Sequence, residues 1–165
     1  MVSMVSGFTK FNTPRVAQLS QRSNQFNLRT IRYTEGDIAA IADNPDCIDL
    51  SFTLEDMFGD NGLIAVIIMK KQDAETLFVD TWFMSCRVLK RGMENFTLNT
   101  MAEKAKAKGF KRIVGEYIPT PKNKMVESHY PNLGFMPLDD EPNRYVLDLD
   151  NYQPKECYIT KREEK

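Results

Sequence analysis

Histidine is almost absent from the chain: His129 is the only one in 165 residues. Any Ser-His-Asp arrangement would depend on it entirely. With three widely spaced cysteines beside it (Cys47, Cys86 and Cys157), no metal-ligand spacing is recognisable, so no metal is expected. An odd, scattered set of cysteines reads as reduced thiols of a cytoplasmic protein rather than as a disulfide framework. Gly and Pro number eight each and apolar residues reach 42%, which argues against collagen-like and disordered chains. No apolar run approaches the ~20 residues of a membrane-spanning helix, so no membrane association is expected. Met1 to Phe11 lacks the charged start, apolar centre and cleavage site of a signal peptide. Linkers rich in Pro, Gly or Ser and internal repeats are also missing. The length suits a single domain, 1–165.

Net charge is small as well, a formal −1, but the average conceals blocks of one sign. Residues 1–34 carry Lys10, Arg15, Arg22, Arg29 and Arg32 and no acid. Residues 35–80 hold eleven acids against Lys70 and Lys71, and residues 87–124 hold ten basic residues against three acids. A single-sign segment is ordinarily a solvated face; the alternative is a basic site for a phosphorylated ligand. The basic run 104–112 has no interleaved aromatics, so nucleic acid is not expected; docking of an acidic carrier protein or a solvated helix face fits better.

Hydrophobic spacing and turn chemistry predict an N-terminal helix over about 14–26, a core over about 27–150 and a tail over about 151–165. Within the core, 27–33 alternates like a strand. Thr34 with Asp37 resembles a helix cap, and the helix it starts stops before Pro45. Strands are expected at 47–53, 63–69 after the Gly59-Asp60-Asn61-Gly62 turn, 77–89, 113–118 and 145–149. The clearest helix runs from Gly92 to Gly109, and a short one is expected over 123–130. This order predicts a mixed α/β fold, one central mixed sheet with helices on both faces.

The junction Ser85-Cys86-Arg87-Val88-Leu89-Lys90-Arg91-Gly92-Met93 carries the most chemistry. A strand runs through a basic turn into a helix N-terminus, whose first N–H groups have no internal partner and suit a phosphate. Arg87, Lys90 and Arg91 add charge, and Gly92 permits close backbone approach. Cys86 sits where such a setting lowers a thiol pKa and favours covalent acyl transfer; a small core residue is the alternative. Asp80 and Glu116 lie in apolar strands, where burial raises a carboxylate toward general-base range or a hydrogen bond satisfies it. His129, about a quarter-turn from Tyr130, reads as structural or surface.

The junction resembles the Q/R-x-x-G-x-G/A signature of GCN5-related N-acetyltransferases (GNATs), with Arg87, Lys90 and Gly92 at the first, fourth and sixth positions; Lys90 stands where that family has Gly. Asn123 to Phe135 is similar to the same family's N-x6-Y-x3-G-F pattern. The resemblance implies a GNAT-like fold with a splayed sheet, coenzyme A, acyl-CoA or phosphopantetheine at Arg87, Val88, Leu89, Lys90, Arg91, Gly92 and Met93, Asn123 steadying the pantetheine arm, and Tyr130 serving the leaving thiolate.

A narrower resemblance runs from about Arg15 to Phe135. Gln18 to Leu28 looks like the QLTQKTNQFNLTT block of FkbH-like proteins, and Phe58 to Gly62, Ser85 to Gly92 and Tyr117 to Thr120 resemble further blocks. Those proteins join a haloacid-dehalogenase-like phosphatase half to a C-terminal acetyltransferase-like half, in methoxymalonyl-type extender-unit biosynthesis for polyketides. This chain matches the C-terminal half only. The resemblance implies an acyltransferase handling an acyl or glyceryl group on an acyl carrier protein or CoA, with Cys86 as acyl acceptor. Its alternatives are a non-catalytic pantetheine or carrier-protein binding module beside a separate phosphatase, and then a conventional amine N-acetyltransferase. Asp148-Leu149-Asp150 mimics a phosphatase D-x-D motif, but with only fifteen residues following it reads as a polar-ended strand.

Overall fold

The computed structural model describes residues 1–85 and 92–163 and contains one eight-stranded mixed sheet. The chain opens with β1 (Val2–Ser6), then α1 (Thr13–Arg22) and α2 (Glu35–Asp43). Strands β2 (Cys47–Asp56), β3 (Gly59–Lys71) and β4 (Thr76–Met84) follow, and helix α3 (Met93–Ala107) comes next. After β5 (Arg112–Glu116) come a 3-10 turn at Lys124–Val126 and the one-turn helix α4 (His129–Asn132). Strands β6 (Met136–Pro137), β7 (Arg144–Asp148) and β8 (Thr160–Glu163) complete the order. In space the strands run β6-β7-β5-β4-β3-β2-β1-β8. Only β4–β5 and β1–β8 pair in parallel.

Alternation along β3 shows how the layers form, because successive side chains point to opposite faces. Ala65, Ile67 and Met69 join the apolar cluster beneath α3 and α4; Val66 and Ile68 join the one beneath α1 and α2. Helices therefore cover both faces. Thr34 and Asp37 form the expected reciprocal cap of α2, and α2 ends at Asp43 ahead of Pro45.

Four elements differ from expectation. Helix α1 ends at Arg22, because Ser23 takes an extended conformation. Residues 27–33 do not form a strand: Thr30 sits at φ 55, and the Asn27 side chain takes the Thr30 N–H at 2.9 Å. Only Asn27 keeps a bridge, to Phe83. The expected 123–130 helix splits into the 3-10 turn and α4. Strand β8 forms within the stretch read as a tail, pairing Val2 with Thr160 through Val5 with Glu163.

Candidate functional site

Strands β4 and β5 pair over only four residues, ending at Val79 and Gly115. Beyond that point β4 continues to Met84, and the backbone after β5 turns its N–H groups elsewhere: Tyr117 donates to Asn143 and Ile118 to Leu28. The pair therefore opens into a fork. A bulge lies at its base, since Ile68 pairs with Thr81 but Met69 with Val79, leaving Asp80 as the extra residue. The bulge puts Asp80 and Thr81 on one face, where both meet the Tyr33 hydroxyl. It also turns Trp82 to the α3/α4 face.

The chain itself fills the fork. Met84 N–H donates to the Phe26 carbonyl at 3.1 Å, and Leu28 N–H donates to the Trp82 carbonyl at 3.2 Å. Phe26–Leu28 thus lies along the open edge of β4 as a three-residue strand substitute. Asn123, fully buried, anchors it from the other side. Its Nδ2 donates to the carbonyls of Asn27 at 3.0 Å and Ile118 at 2.9 Å. Its Oδ1 accepts from the Thr120 N–H at 2.8 Å and the Tyr117 hydroxyl at 3.3 Å. An amide has two N–H donors and two lone pairs, so all are committed. The residue expected to touch a pantetheine arm has a different task here: it holds the wall of the fork.

On the α3/α4 face, a cavity of about 320 Å³ opens between the first turn of α3 and residues 125–133. Phe26, Met125, Val126 and Leu133 make its apolar walls, and Glu94, Asn95, Asn132 and His129 its polar ones. His129 is 8% exposed and packs edge-on against Trp82, ring centroids 4.3 Å apart, and against Phe26 at 5.0 Å. Burial pushes its pKa down to about 3, so the imidazole is neutral. His129 Nε2, Trp82 Nε1 and the Tyr130 hydroxyl are all buried without a hydrogen-bond partner among the described residues. Three orphaned polar groups on touching rings are rare in native interiors and mark a place to look for a ligand or bound water.

Tyr130 is turned into the core rather than toward the cavity. Its ring lies flat on Gly115: a Cβ at Gly115 would come within 2.8 Å of Cε2 and closer still to Cζ. Phe135 packs on it at 4.8 Å and Tyr145 stacks at 5.9 Å. Desolvation raises its pKa, so the phenol stays protonated.

Of the remaining residues singled out by sequence, Cys86, Arg87, Val88, Leu89, Lys90 and Arg91 lie outside the described residues. Gly92 caps α3 at φ 84, and its carbonyl accepts the Phe96 N–H at 3.0 Å. Met93 is buried in the core, leaving only its backbone for the helix start. Cys47 and Cys157 are free, and burial raises the Cys47 pKa.

The two strand carboxylates are ion-paired, so of their two readings the hydrogen-bonded one holds. Arg29 bridges Asp80 at 2.9 Å and Glu116 at 3.0 Å, and Arg144 bonds Glu116 at 2.8 Å. Desolvation pushes Glu116 up, but the Arg144 and Arg29 bonds outweigh it and hold the carboxyl below its ordinary value. Sequence reasoning did not find Arg29 or the fork-filling role of Phe26–Leu28. The only signal was that both fall in or beside the Gln18 to Leu28 block.

A second cavity, of about 580 Å³, lies at the end of β4 against α1, and Phe26 lines both cavities. Among the described residues no group of three or more His, Cys, Asp and Glu is placed to hold a metal, and no helix is long and apolar enough to cross a membrane.

No family model matches the chain, and no curated protein matches it in sequence. Solved structures do match in fold. The ribosomal-protein-S18-alanine N-acetyltransferase of Escherichia coli superposes with a TM-score of 0.65 at 12% identity, over 95% of this chain and all of its own. The GNAT domain of PAT from S. lividans gives 0.66 at 16%, covering 87% of this chain and 89% of that one. An aminoglycoside acetyltransferase, AAC(6')-Ib, in complex with coenzyme A gives 0.61 at 12%, covering 88% and 94%. The fold is that of the GNAT acyl-CoA N-acyltransferases.

Proposed function

We propose that the protein is an acyltransferase that takes its acyl group from a thioester of coenzyme A or of an acyl carrier protein's phosphopantetheine. The observation that supports this most is the cavity wedged between the first turn of α3 and residues 125–133, at the mouth of the fork. A pantetheine arm is narrow and extended and carries amides along its length. Apolar walls at Phe26, Met125 and Leu133, with the Asn95 and Asn132 amides between them, suit such an arm. The CoA-bound acetyltransferase of the same fold supports the cofactor class.

In this reading Arg87, Val88, Leu89, Lys90, Arg91, Gly92 and Met93 supply charge and backbone N–H groups for the pyrophosphate or phosphate at the head of α3. The Cys86 thiolate attacks the thioester carbonyl, a new S–C bond forms, and the bond to the leaving sulfur breaks. The proton lost by Cys86 ends on the departing thiolate, which leaves as the free thiol; Tyr130, the donor that the GNAT resemblance implies, keeps its proton and its hydroxyl inside the core. Asn123 serves by holding Phe26–Leu28 and not by touching the arm. The likeness to FkbH-like proteins narrows the acyl group to a glyceryl unit, the partner to an acyl carrier protein, and the source of that unit to a separate haloacid-dehalogenase-like phosphatase.

One observation favours a second reading, a non-catalytic pantetheine or carrier-protein binding module. The edge of β4 that would align a thioester for attack already bonds Phe26 and Leu28, which leaves the cavity able to hold an arm without setting it for transfer. Intact-mass measurement after incubation with acyl-CoA and with glyceryl-loaded carrier, on the wild type and on Cys86→Ala, separates the two. A Cys86-dependent acyl adduct supports transfer through the thiol. Turnover onto an amine without an adduct points to a conventional N-acetyltransferase. Binding with neither adduct nor turnover rejects the enzyme and leaves the module.

A further inference from the structure

The second cavity, on the α1 side of Phe26, brings together two positive stretches that are far apart in the sequence. Arg15 and Arg22 come from the acid-free block 1–34, and Lys122 comes from the basic block 87–124. Among the described residues no aspartate or glutamate lines this cavity. Among the described residues none of the three cations pairs with an acid there, and the side-chain bond they make is from Arg15 to the Gln18 amide oxygen at 2.6 Å. Elsewhere among the described residues Arg29, Lys70, Arg112, Arg144, Lys104 and Lys161 sit in ion pairs, while other unpaired lysines, such as Lys108 and Lys111, stand on open surface rather than at a cavity.

The wall that carries Arg22 is fixed in place rather than left to fluctuate. Arg32 donates to the carbonyls of Ser20 and Ser23, both at 2.6 Å, and to the Asn24 side chain at 2.5 Å. Asn27 ties its Nδ2 back to the Ser23 carbonyl at 3.1 Å. These bonds clamp the chain directly after Arg22. Lys122 is set by the same turn that positions Asn123, since the Lys122 N–H donates to Thr120 Oγ1 at 3.2 Å. The floor is apolar, made by Leu19, Leu63 and Phe83.

We propose that this cavity binds a small anionic molecule carrying a phosphate or carboxylate group, with Arg22, Lys122 and Arg15 as its counter-charges. Unpaired cations converging on an acid-free pocket focus positive potential there, and a dianion releases the repulsion among them. The apolar floor takes the rest of the ligand. Because Phe26 separates this cavity from the one assigned to the thioester, the anionic molecule is placed as the second substrate. That placement rests on the acyltransferase reading, whereas the anion site itself does not.

The test is calorimetric titration of the full chain with inorganic phosphate and, separately, with succinate, at constant ionic strength set with chloride. Backbone amide shifts are followed in parallel. Binding is expected to saturate and to weaken about tenfold or more in Arg22→Glu and in Lys122→Glu. Lys108→Glu, at the far end of α3, should change it by less than about twofold. Shifts should gather at residues 19–25, 63–64 and 83–85. Phosphate alone binding identifies a phosphate source, succinate alone a carboxylate source, and both the shared chemistry. No saturable binding of either anion overturns the proposal, as does equal weakening by Lys108→Glu. Coenzyme A and a phosphopantetheine-loaded acyl carrier protein titrated into the same proteins keep the two ideas apart: phosphate binding without binding of either sinks the thioester reading and upholds the anion site.

Discussion

Asn123 holds Asn27 across the opened β4–β5 pair, its Nδ2 donating to the Asn27 carbonyl at 3.0 Å from a fully buried position. The same amide satisfies Ile118, Thr120 and Tyr117. A buried amide with every bond made is expensive to remove, because its partners stay behind without water.

Asn123→Ala should therefore lower stability by about 3 kcal/mol, from several stranded backbone groups at roughly 1–3 kcal/mol each. Urea unfolding of the variant measures it. A loss below about 1 kcal/mol would mean that water replaces the amide and that the Phe26–Leu28 wall stands without it.

Gly115→Ala should cost about 2–3 kcal/mol, because the added methyl meets the Tyr130 ring on a strand that cannot withdraw. The penalty should shrink in a Tyr130→Ala background, where that ring is gone. A double-mutant cycle reads the coupling; strictly additive losses would show that the glycine is needed for another reason.

Acid should destabilise the fold early through His129. Its folded pKa, about 3, lies below the ordinary 6.5, so the unfolded chain binds the proton first. The stability it contributes is complete above 6.5 and is lost as pH falls from there toward 3. Going from about pH 7.5 to about pH 5 should cost about 2 kcal/mol. Glu116 adds nothing in that window, since its depressed carboxyl matters only below 4.5. His129→Phe, which keeps the edge-on packing with Trp82, should flatten this limb. An unchanged acid profile in that variant would assign the loss elsewhere.

Removing Arg29 should leave two carboxylates facing each other across β4 and β5. Arg29→Met should cost about 2 kcal/mol near neutral pH, from Asp80 and Glu116 left without their shared guanidinium. The penalty should fall toward about pH 3, as the Glu116 carboxyl protonates and no longer needs a guanidinium partner. Denaturant midpoints at the two pH values check this, and a pH-independent cost would point to lost packing on Phe78, which Arg29 covers at 4.9 Å.

Gly92→Ala should cost about 1 kcal/mol, since its φ of 84 penalises a Cβ while, among the described residues beyond its chain neighbours, nothing nearer than Cys157, at 3.7 Å, resists one. A much larger loss of CoA binding than of stability would tie the backbone at this position to the ligand.

Local signals foretold most elements. Thr34 with Asp37 marked the start of α2, and the apolar face from Met93 to Ala105 marked α3. Their failures are informative. The alternation at 27–33 resembled a strand, yet Asn27 spends its side chain on local backbone and Thr30 turns left-handed. Tyr130 and His129 are adjacent, and spacing alone could not tell which faces the cavity. Gly115 decides it, by leaving room for the Tyr130 ring to lie on its backbone.

By itself the sequence determined the mixed α/β order, the limits of α2 and α3, and the two positive blocks at 1–34 and 87–124. Periodicity and turn chemistry record which face of each segment is buried and where it must stop. Only the tertiary structure decided that Phe26–Leu28 fills the fork, that a bulge at Asp80 swings Trp82 toward His129, and that Arg22 and Lys122 meet at one cavity. Those outcomes depend on which distant backbone reaches an unpaired strand edge, and no short-range pattern carries that information.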